Sequence, residues 1–84
     1  MKQFHIEIVA PEGRVFDGNI TRLVTDTPCG PVCIMAGHID YLTQSSGNVR
    51  IVTEKEQRHA HCGDGILTVT HGKAVLVTES FEWA

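Results

Sequence analysis

The chain has 84 residues, 42% of them hydrophobic, and a formal net charge of −3 with histidine neutral. A chain of this length forms one domain at most, which we predict to span residues 1–84, and it buries one modest core. The charge argues against the basic surface that nucleic acid or an anionic membrane requires. No apolar run approaches the roughly 20 residues of a membrane span.

The amino-terminal residues lack the unbroken apolar core of a signal peptide, which predicts a cytoplasmic protein. The three cysteines are an odd number with no secretion signal before them, so reduced thiols are expected.

Short stretches of alternating apolar and polar residues recur along the chain, first from Phe4 to Val9 and later from Val49 to Glu54 and from Ile66 to Thr70. This is the period of a strand with one buried face. Between them lie the expected turns and loops, which are Asp17-Gly18, Gln44–Asn48, Glu54–Glu56, Gly63–Gly65 and His71-Gly72. Asp17-Gly18 and His71-Gly72 are both typical of two-residue hairpin turns.

Apolar residues nowhere follow the i, i+3, i+4, i+7 spacing of a helix, and the tail after Thr78 has no clear period. The eight Gly and three Pro punctuate the chain at short intervals. The pattern predicts an all-β protein, a flattened sandwich or barrel of about ten short strands.

The stretch from Cys29 to Thr43 is the most unusual part of the sequence, with two Cys, one His, two Gly and one Pro. It predicts two short strands, Val32–Met35 and Tyr41–Thr43, joined by a loop at Ala36-Gly37-His38. Because such loops usually carry function on a rigid scaffold, this one is the first place to look for a site.

A metal site is one hypothesis. His59 and His61 would share one face of a strand, and a cysteine from Cys29, Cys33 or Cys62 could complete a zinc site. However, Cys62 should point to the opposite face from His61, and Cys33, between two apolar residues, is expected to pack as a small hydrophobe. We therefore predict no metal and no cofactor, and keep metal binding through His59, His61 and a cysteine as the alternative.

Catalysis is a weaker hypothesis. His38 could pair with a cysteine, but no cysteine lies in a Gly-flanked turn that opens a helix, and nothing supplies an oxyanion hole. Gly63–Gly65 is no phosphate loop, because neither a lysine nor a helix follows it. We predict no catalytic residues.

The order of the landmarks resembles the epsilon subunit of F-type ATP synthases. Phe4–Glu12 and Val15-Phe-Asp-Gly18 resemble the family's opening L-x-I-V-T-P-E and V-F-D-G, and Gly30–Thr43 resembles its G-E-L-G-I-L-P-G-H-A-P-L-V-T. Later segments also match in order, namely Ser46–Ile51, Gly63–Val69 and Ala74–Val77. Each motif alone is weak, but their collinear spacing covers almost the whole chain.

The resemblance implies a non-catalytic subunit of the central stalk of a rotary ATP synthase. Such a subunit links gamma to the ring of c subunits and helps to couple translocation of protons or sodium ions to ATP synthesis and hydrolysis. The implied partners are therefore gamma and the c ring. The implied location is the cytoplasmic face of the cell membrane, with membrane contact only through the complex.

The resemblance also implies which residues meet each partner. Those facing gamma would be Asp40, Tyr41 and Leu42. Those facing the c ring would be Cys29, Gly30, Pro31, Val32, Gly37 and His38. An exposed apolar cluster is expected in the same stretch, formed by Val32, Met35, Ile39 and Tyr41, and such a patch marks a partner site.

Several residues depart from the family pattern. Ala36 and Asp40 replace the two prolines of P-G-H-A-P, while Pro31 stands where the family has Glu. Loss of the prolines adds backbone entropy to the loop. The chain ends where the family usually continues into a helical hairpin, so we expect either a natural short form without that hairpin or a truncated chain. We assign neither of the hairpin's roles, inhibition and ATP binding.

Overall fold

The computed structural model describes residues 2–37 and 40–84. Every regular element in this part of the chain is a strand. The strands are β1 (Phe4–Ala10), β2 (Gly13–Ile20), β3 (Arg22–Thr27), β4 (Gly30–Met35), β5 (Tyr41–Val52), β6 (Gln57–Thr70), β7 (Lys73–Thr78) and β8 (Phe81–Trp83). The all-β prediction is confirmed, with eight strands in place of about ten.

The strands hydrogen-bond in the order β2-β1-β7-β6-β5-β3-β4, and β8 pairs with β6 beside this path. β2 and β4 stand at the two ends of the path, so the sheet formed by the described residues is not closed. β1 and β7 run parallel, whereas the other pairs are antiparallel.

The two long strands belong to both layers of the sandwich. Their halves at Tyr41–Ser45 and Gly65–Thr70 join β7, β1 and β2, which we call layer one. Their other halves join β3, β4 and β8, which we call layer two. β5 changes layer at a bulge between Ser45 and Gly47. A bulge or bend is the usual means by which a strand passes between packed sheets.

Because β5 and β6 each run unbroken through both layers, two expectations from the sequence are wrong. The polar segment Gln44–Asn48 is not a loop but the bulged centre of β5, and Gly63–Gly65 does not interrupt β6. The glycines serve close backbone packing, since Gly63 N donates to Ser80 O and Glu79 N donates to Asp64 O, both at 3.0 Å. A strand glycine often marks such an approach, and the sequence alone does not distinguish it from a turn.

The expected hairpin at Asp17-Gly18 is also wrong. β2 pairs with β1 without a break there, Asp17 opposite Glu7 and Gly18 opposite Ile6. The turn lies earlier, where Pro11 and Glu12 connect β1 to β2. Tertiary pairing therefore overrides the local turn preference of Asp-Gly.

The hairpin at His71-Gly72 is confirmed. Both residues have positive φ, 50° for His71 and 77° for Gly72, as a type I′ turn requires. His71 N also donates to Asp40 Oδ1 at 3.1 Å, so the hairpin and the end of the β4–β5 connection are tied together.

The core lies between the layers and is almost wholly apolar. Ile6, Ile8, Leu67 and Leu76 contribute from layer one, and the contribution of layer two is Leu23, Ile34, Val49, Ile51 and Cys62. A buried hydrogen bond of 2.5 Å joins Thr25 Oγ1 to Ser45 Oγ beside the bulge. It provides a partner for both buried hydroxyls.

The tail, which has no clear period in the sequence, forms β8 and packs across one open side of the sandwich. Trp83 makes edge-to-face contacts with Phe81 and with Phe16 of β2, at ring-centroid separations of 5.0 and 5.9 Å. The Arg58 guanidinium carbon lies 3.7 Å from the centroid of the Trp83 ring. The tail therefore links β6 to the distant edge strand β2.

Candidate partner-binding surfaces

The outer face of layer one carries an exposed apolar strip. Leu42, Ile66 and Val77 are 69%, 50% and 53% exposed, and they are three of the five large hydrophobic side chains with such exposure among the described residues. Ile66 stands opposite Val77, and Val77 stands opposite Val9 of β1. Leu42 is the diagonal neighbour of Ile66, because Leu42 pairs with Thr68. The strip thus crosses β5, β6, β7 and β1 without a gap.

Charged side chains border this apolar strip on β1 and β2. Arg14 forms ion pairs with Glu7 (2.7 Å) and with Asp17 (3.1 Å). His5 contacts both the Asp17 carboxylate and the Asn19 side chain. An apolar centre with a polar rim is the usual composition of a protein–protein interface.

The three residues expected to face gamma differ from one another in the structure. Leu42 is strongly exposed and belongs to the apolar strip. Tyr41 is half-buried and packs against the core, because successive strand residues alternate between faces. Asp40 is exposed, and its carboxylate accepts the hydrogen bond from the His71 amide described above.

The residues expected to face the c ring follow β4 and the turns at its two ends. Pro28 and Cys29 form the β3–β4 turn, which the Thr27 hydroxyl organises by donating to Gly30 O at 2.6 Å. Gly37 lies beyond the other end, with a φ of 85°, and β4 between them is about 17 Å long. Only a surface along the whole of β4 could bring both turns to one partner.

The orientation of β4 sorts these residues further. Cys29, Pro31 and Gly37 are exposed, whereas Gly30 is half-buried and Val32 is half-buried against the core. His38 lies outside the described residues.

The exposed apolar cluster expected around this loop is wrong in composition. Val32 and Tyr41 both pack inward, while Met35 is exposed on the outer face of β4. Ile39 lies outside the described residues. Cys33, expected to be buried, is exposed because it points to the same side as Met35. The buried thiol is Cys62.

The residues of the metal hypothesis do not converge. His59 and His61 are exposed on one face of β6, whereas Cys62 points into the core with its Sγ 4.0 Å from Ser45 Oγ. Residues 2–37 and 40–84 contain no group of three or more His, Cys, Asp or Glu side chains that could hold a metal ion.

The described part of the chain also contains no helix long and apolar enough to cross a lipid bilayer.

Sequence reasoning found one member of the apolar strip, Leu42, and missed Ile66 and Val77. The sequence does contain a pattern that indicates the exposure of these two residues. In Gly65–Val69 and Lys73–Val77, apolar residues occupy both strand faces, where a half-buried strand has polar residues on one of them. Doubly apolar strands in a chain too small to bury both faces indicate an exposed patch.

Comparison with known proteins places this geometry in a family. The family described as "ATP synthase, Delta/Epsilon chain, beta-sandwich domain" matches residues 3–84. The chain belongs to this family. The resemblance noted in the sequence is thereby confirmed.

Two relatives among the ATP synthase epsilon chains illustrate how the match extends. The protein from Caldicellulosiruptor bescii is 31% identical over 84 residues, which are 99% of this chain and 61% of the relative. The protein from Chlorobium limicola is 32% identical over 80 residues, which are 93% of this chain and 91% of the relative. The chain therefore spans about three-fifths of the length of the first epsilon chain and nearly all of the second.

A chain in the cryo-EM structure of the Euglena gracilis mitochondrial ATP synthase, OSCP/F1/c-ring in rotational state 1, has the same fold. The TM-score is 0.91 at 15% sequence identity, over 96% of this chain and 53% of that one. Identity this low shows the epsilon-type β-sandwich alone.

Proposed function

We propose that this epsilon-type domain is a non-catalytic part of the central stalk of a rotary ATP synthase. In this role it links gamma to the c ring and helps to couple translocation of protons or sodium ions to ATP synthesis and hydrolysis. It would act at the cytoplasmic face of the cell membrane and be held there by its partners. Membership of the delta/epsilon family supports the assignment.

The apolar strip is the observation that carries the proposal, and we propose gamma as the protein that covers it. A small protein rarely leaves neighbouring apolar side chains on four adjacent strands in water unless a partner covers them. The strip includes Leu42, which the family resemblance directs towards gamma, and extends the contact to Ile66 and Val77. Asp40 and Tyr41 then have supporting roles, Asp40 through the His71 hairpin and Tyr41 through the core.

Binding to purified gamma tests this assignment. A charge at the centre of an apolar contact costs about 2 kcal/mol or more, since the carboxylate loses water without gaining a partner. We therefore expect Leu42→Asp to weaken binding at least about thirtyfold, measured by titration calorimetry.

Met35→Asp is the matched control, because Met35 is 53% exposed and lies in layer two. It should change the affinity for gamma less than about threefold. Equal losses in the two variants, or no binding by the unaltered chain to soluble gamma, would contradict the proposal. Circular dichroism on both variants establishes that each is folded.

We further propose that the c-ring surface runs along β4 through the exposed residues Cys29, Pro31 and Gly37. Val32, Gly30 and His38 belong to the same stretch of chain, with Val32 supporting the surface from the core side. Pro31 has no backbone N–H, so this edge strand offers one hydrogen-bond donor fewer, which disfavours strand addition by other chains. The edge therefore suits contact through side chains and turns.

A further inference from the structure

The outer face of layer two carries two neighbouring arginines. Arg22 of β3 pairs with Val52 of β5, and Arg50 of β5 pairs with Val24 of β3. The two arginines are therefore diagonal neighbours on one face of this strand pair, close enough for long side chains to reach a shared point. Both are half-buried.

Neither arginine has a counter-ion in the described part of the chain. The ion pairs between described residues all involve Arg14 or His5, and neither Arg22 nor Arg50 takes part in them. The Nε atoms of both are buried without a hydrogen-bond partner. Two like charges, partly removed from water and side by side, raise the free energy of the folded state unless an anion compensates them.

Among the described residues, no carboxylate on the same face forms an ion pair with either arginine. Asp26 lies diagonal to Arg50, but its Oδ2 accepts a hydrogen bond from Asn48 N at 3.1 Å and packs against Gly47. Glu82 of β8 lies beyond His61, further from both arginines. Glu54 and Glu56 belong to the β5–β6 turn at the end of the strands.

A cleft of about 540 Å³ opens beside Arg50. Its polar lining combines Arg50 with His59 and His61 of β6, with Asn48 of β5 and with Asp26 of β3. His59 stands opposite Arg50 in the sheet, so an imidazole and a guanidinium face the same space. The volume is in the range of sites that hold a small molecule.

We propose that this face binds a polyvalent anion of the phosphate class. A dianion suits the two guanidinium groups better than a single carboxylate does, because the dianion compensates both positive charges at once. Guanidinium also binds phosphate oxygens in a paired, planar geometry. The imidazoles of His59 and His61 add hydrogen-bond donors on the β6 side. This proposal does not rest on the proposed function, because the apolar strip and the gamma contact take no part in it, although Pro31 of the proposed c-ring surface also lines the cleft.

Pyrophosphate is the probe, titrated into the isotopically labelled chain at constant ionic strength and followed by NMR. The expected result is a saturable shift of the Arg22 and Arg50 Nε–H signals and of the amides of His59 and His61, with one anion bound per chain. Arg50→Gln should raise the dissociation constant at least tenfold, and Arg22→Gln at least threefold. Lys73→Gln removes an exposed positive charge at the start of β7 and should change it less than twofold.

Two results would overturn the inference: shifts that rise linearly and match those produced by sodium chloride, or equal losses in Arg50→Gln and Lys73→Gln. Binding of an acidic peptide with no response to pyrophosphate would also reject it, since the face would then belong to a protein partner. If Arg50→Gln is unfolded, Arg50→Lys replaces it, because lysine keeps the charge but lacks the guanidinium fork. The same weakening is expected there, and unchanged affinity would again contradict the proposal.

Discussion

Gly65 shows how a single residue is fixed by the approach of a neighbouring strand. A Cβ at this position would lie 2.4 Å from the Val77 carbonyl oxygen and 2.9 Å from the Thr78 Cα. Both are backbone atoms of β7, so neither can swing aside as a flexible side chain would. The requirement for glycine therefore comes from close packing and not from an unusual φ.

We expect Gly65→Ala to lower the free energy of unfolding by about 2 kcal/mol or more, because β6 and β7 must move apart to admit the methyl group. Urea unfolding measures this. Gly18→Ala is the matched control, since its Cβ would meet only the Phe16 ring at an ordinary 3.6 Å. The free energy of unfolding of that variant should stay within about 0.5 kcal/mol of the value for the unaltered chain, because added packing and reduced unfolded-state entropy offset any strain. Equal effects in the two variants would contradict this account of Gly65.

Individual residues also mark where sequence reasoning succeeded and failed. Alternation placed the buried residues of β1 correctly, because one face of β1 meets the core along its whole length. It misplaced Cys33, which was expected to be buried, and Val32, which was expected to be exposed, because the pleat of β4 sends Cys33 outward and Val32 inward. Asp40 was expected to face gamma, and its additional hydrogen bond to the distant His71 amide could not be predicted from the sequence.

Among the elements, the short strand β8 is the least visible in the sequence and has a clear structural role. Its three residues pair with Ala60, His61 and Cys62 of β6. Trp83 then carries the contact across to Phe16 of β2, so β8 joins a strand of layer two to the edge of layer one. Three residues are too few for a periodic pattern, which is why the tail showed none.

Trp83→Ala should lower the free energy of unfolding by about 2 kcal/mol. It removes two edge-to-face aromatic contacts and the cation–π contact with Arg58, although at 36% exposure Trp83 is not a fully buried side chain. Urea unfolding followed by far-ultraviolet circular dichroism is suitable, since Trp83 is the only tryptophan. Glu82→Ala changes the opposite, exposed side of the same strand and should cost less than about 0.5 kcal/mol. A loss in Trp83→Ala no larger than in this control would show that β8 does not hold the two layers together.

The long strands β5 and β6 explain the difference in strand number. Each was expected as two strands, because a polar segment in one and glycines in the other are typical of loops. In the structure these segments are the places where the strands change layer. Whether such residues end a strand or bend it depends on pairing with strands distant in sequence, and local pattern carries no information on that.

At the scale of the whole molecule, the fold class follows from the sequence because it rests on a repeated feature, the strand period bounded by turn residues. The surfaces do not follow as well, since they depend on which strands become neighbours. Ile66 and Leu42 are 24 positions apart in the chain, yet they adjoin because β5 pairs with β6. The proposed gamma surface thus arises from topology, whereas the proposed c-ring surface is nearly contiguous in sequence along β4.

A bridging subunit must present its two surfaces to two partners at the same time. The apolar strip lies on layer one, whereas β4 is an edge strand of layer two, so the two proposed contacts do not overlap. We expect a photoactivatable maleimide on Cys29 to cross-link to subunit c in the assembled synthase. Cys33→Ser leaves Cys29 as the one exposed thiol, because Cys62 is buried.

The control places the same probe elsewhere on the molecule, in a chain with Cys29→Ser, Cys33→Ser and Glu12→Cys. Glu12 is exposed in the turn between β1 and β2, several strands away from β4 in the sheet order. Its cross-link to subunit c should be at least about fivefold weaker, because such probes react only with groups in contact. Equal yields from Cys29 and from the Glu12 position, or a Cys29 product that contains gamma alone, would remove β4 as the ring-facing edge. Adding Leu42→Asp to the Cys29 probe tests independence, since a ring contact that rests on β4 should persist in every complex that still assembles.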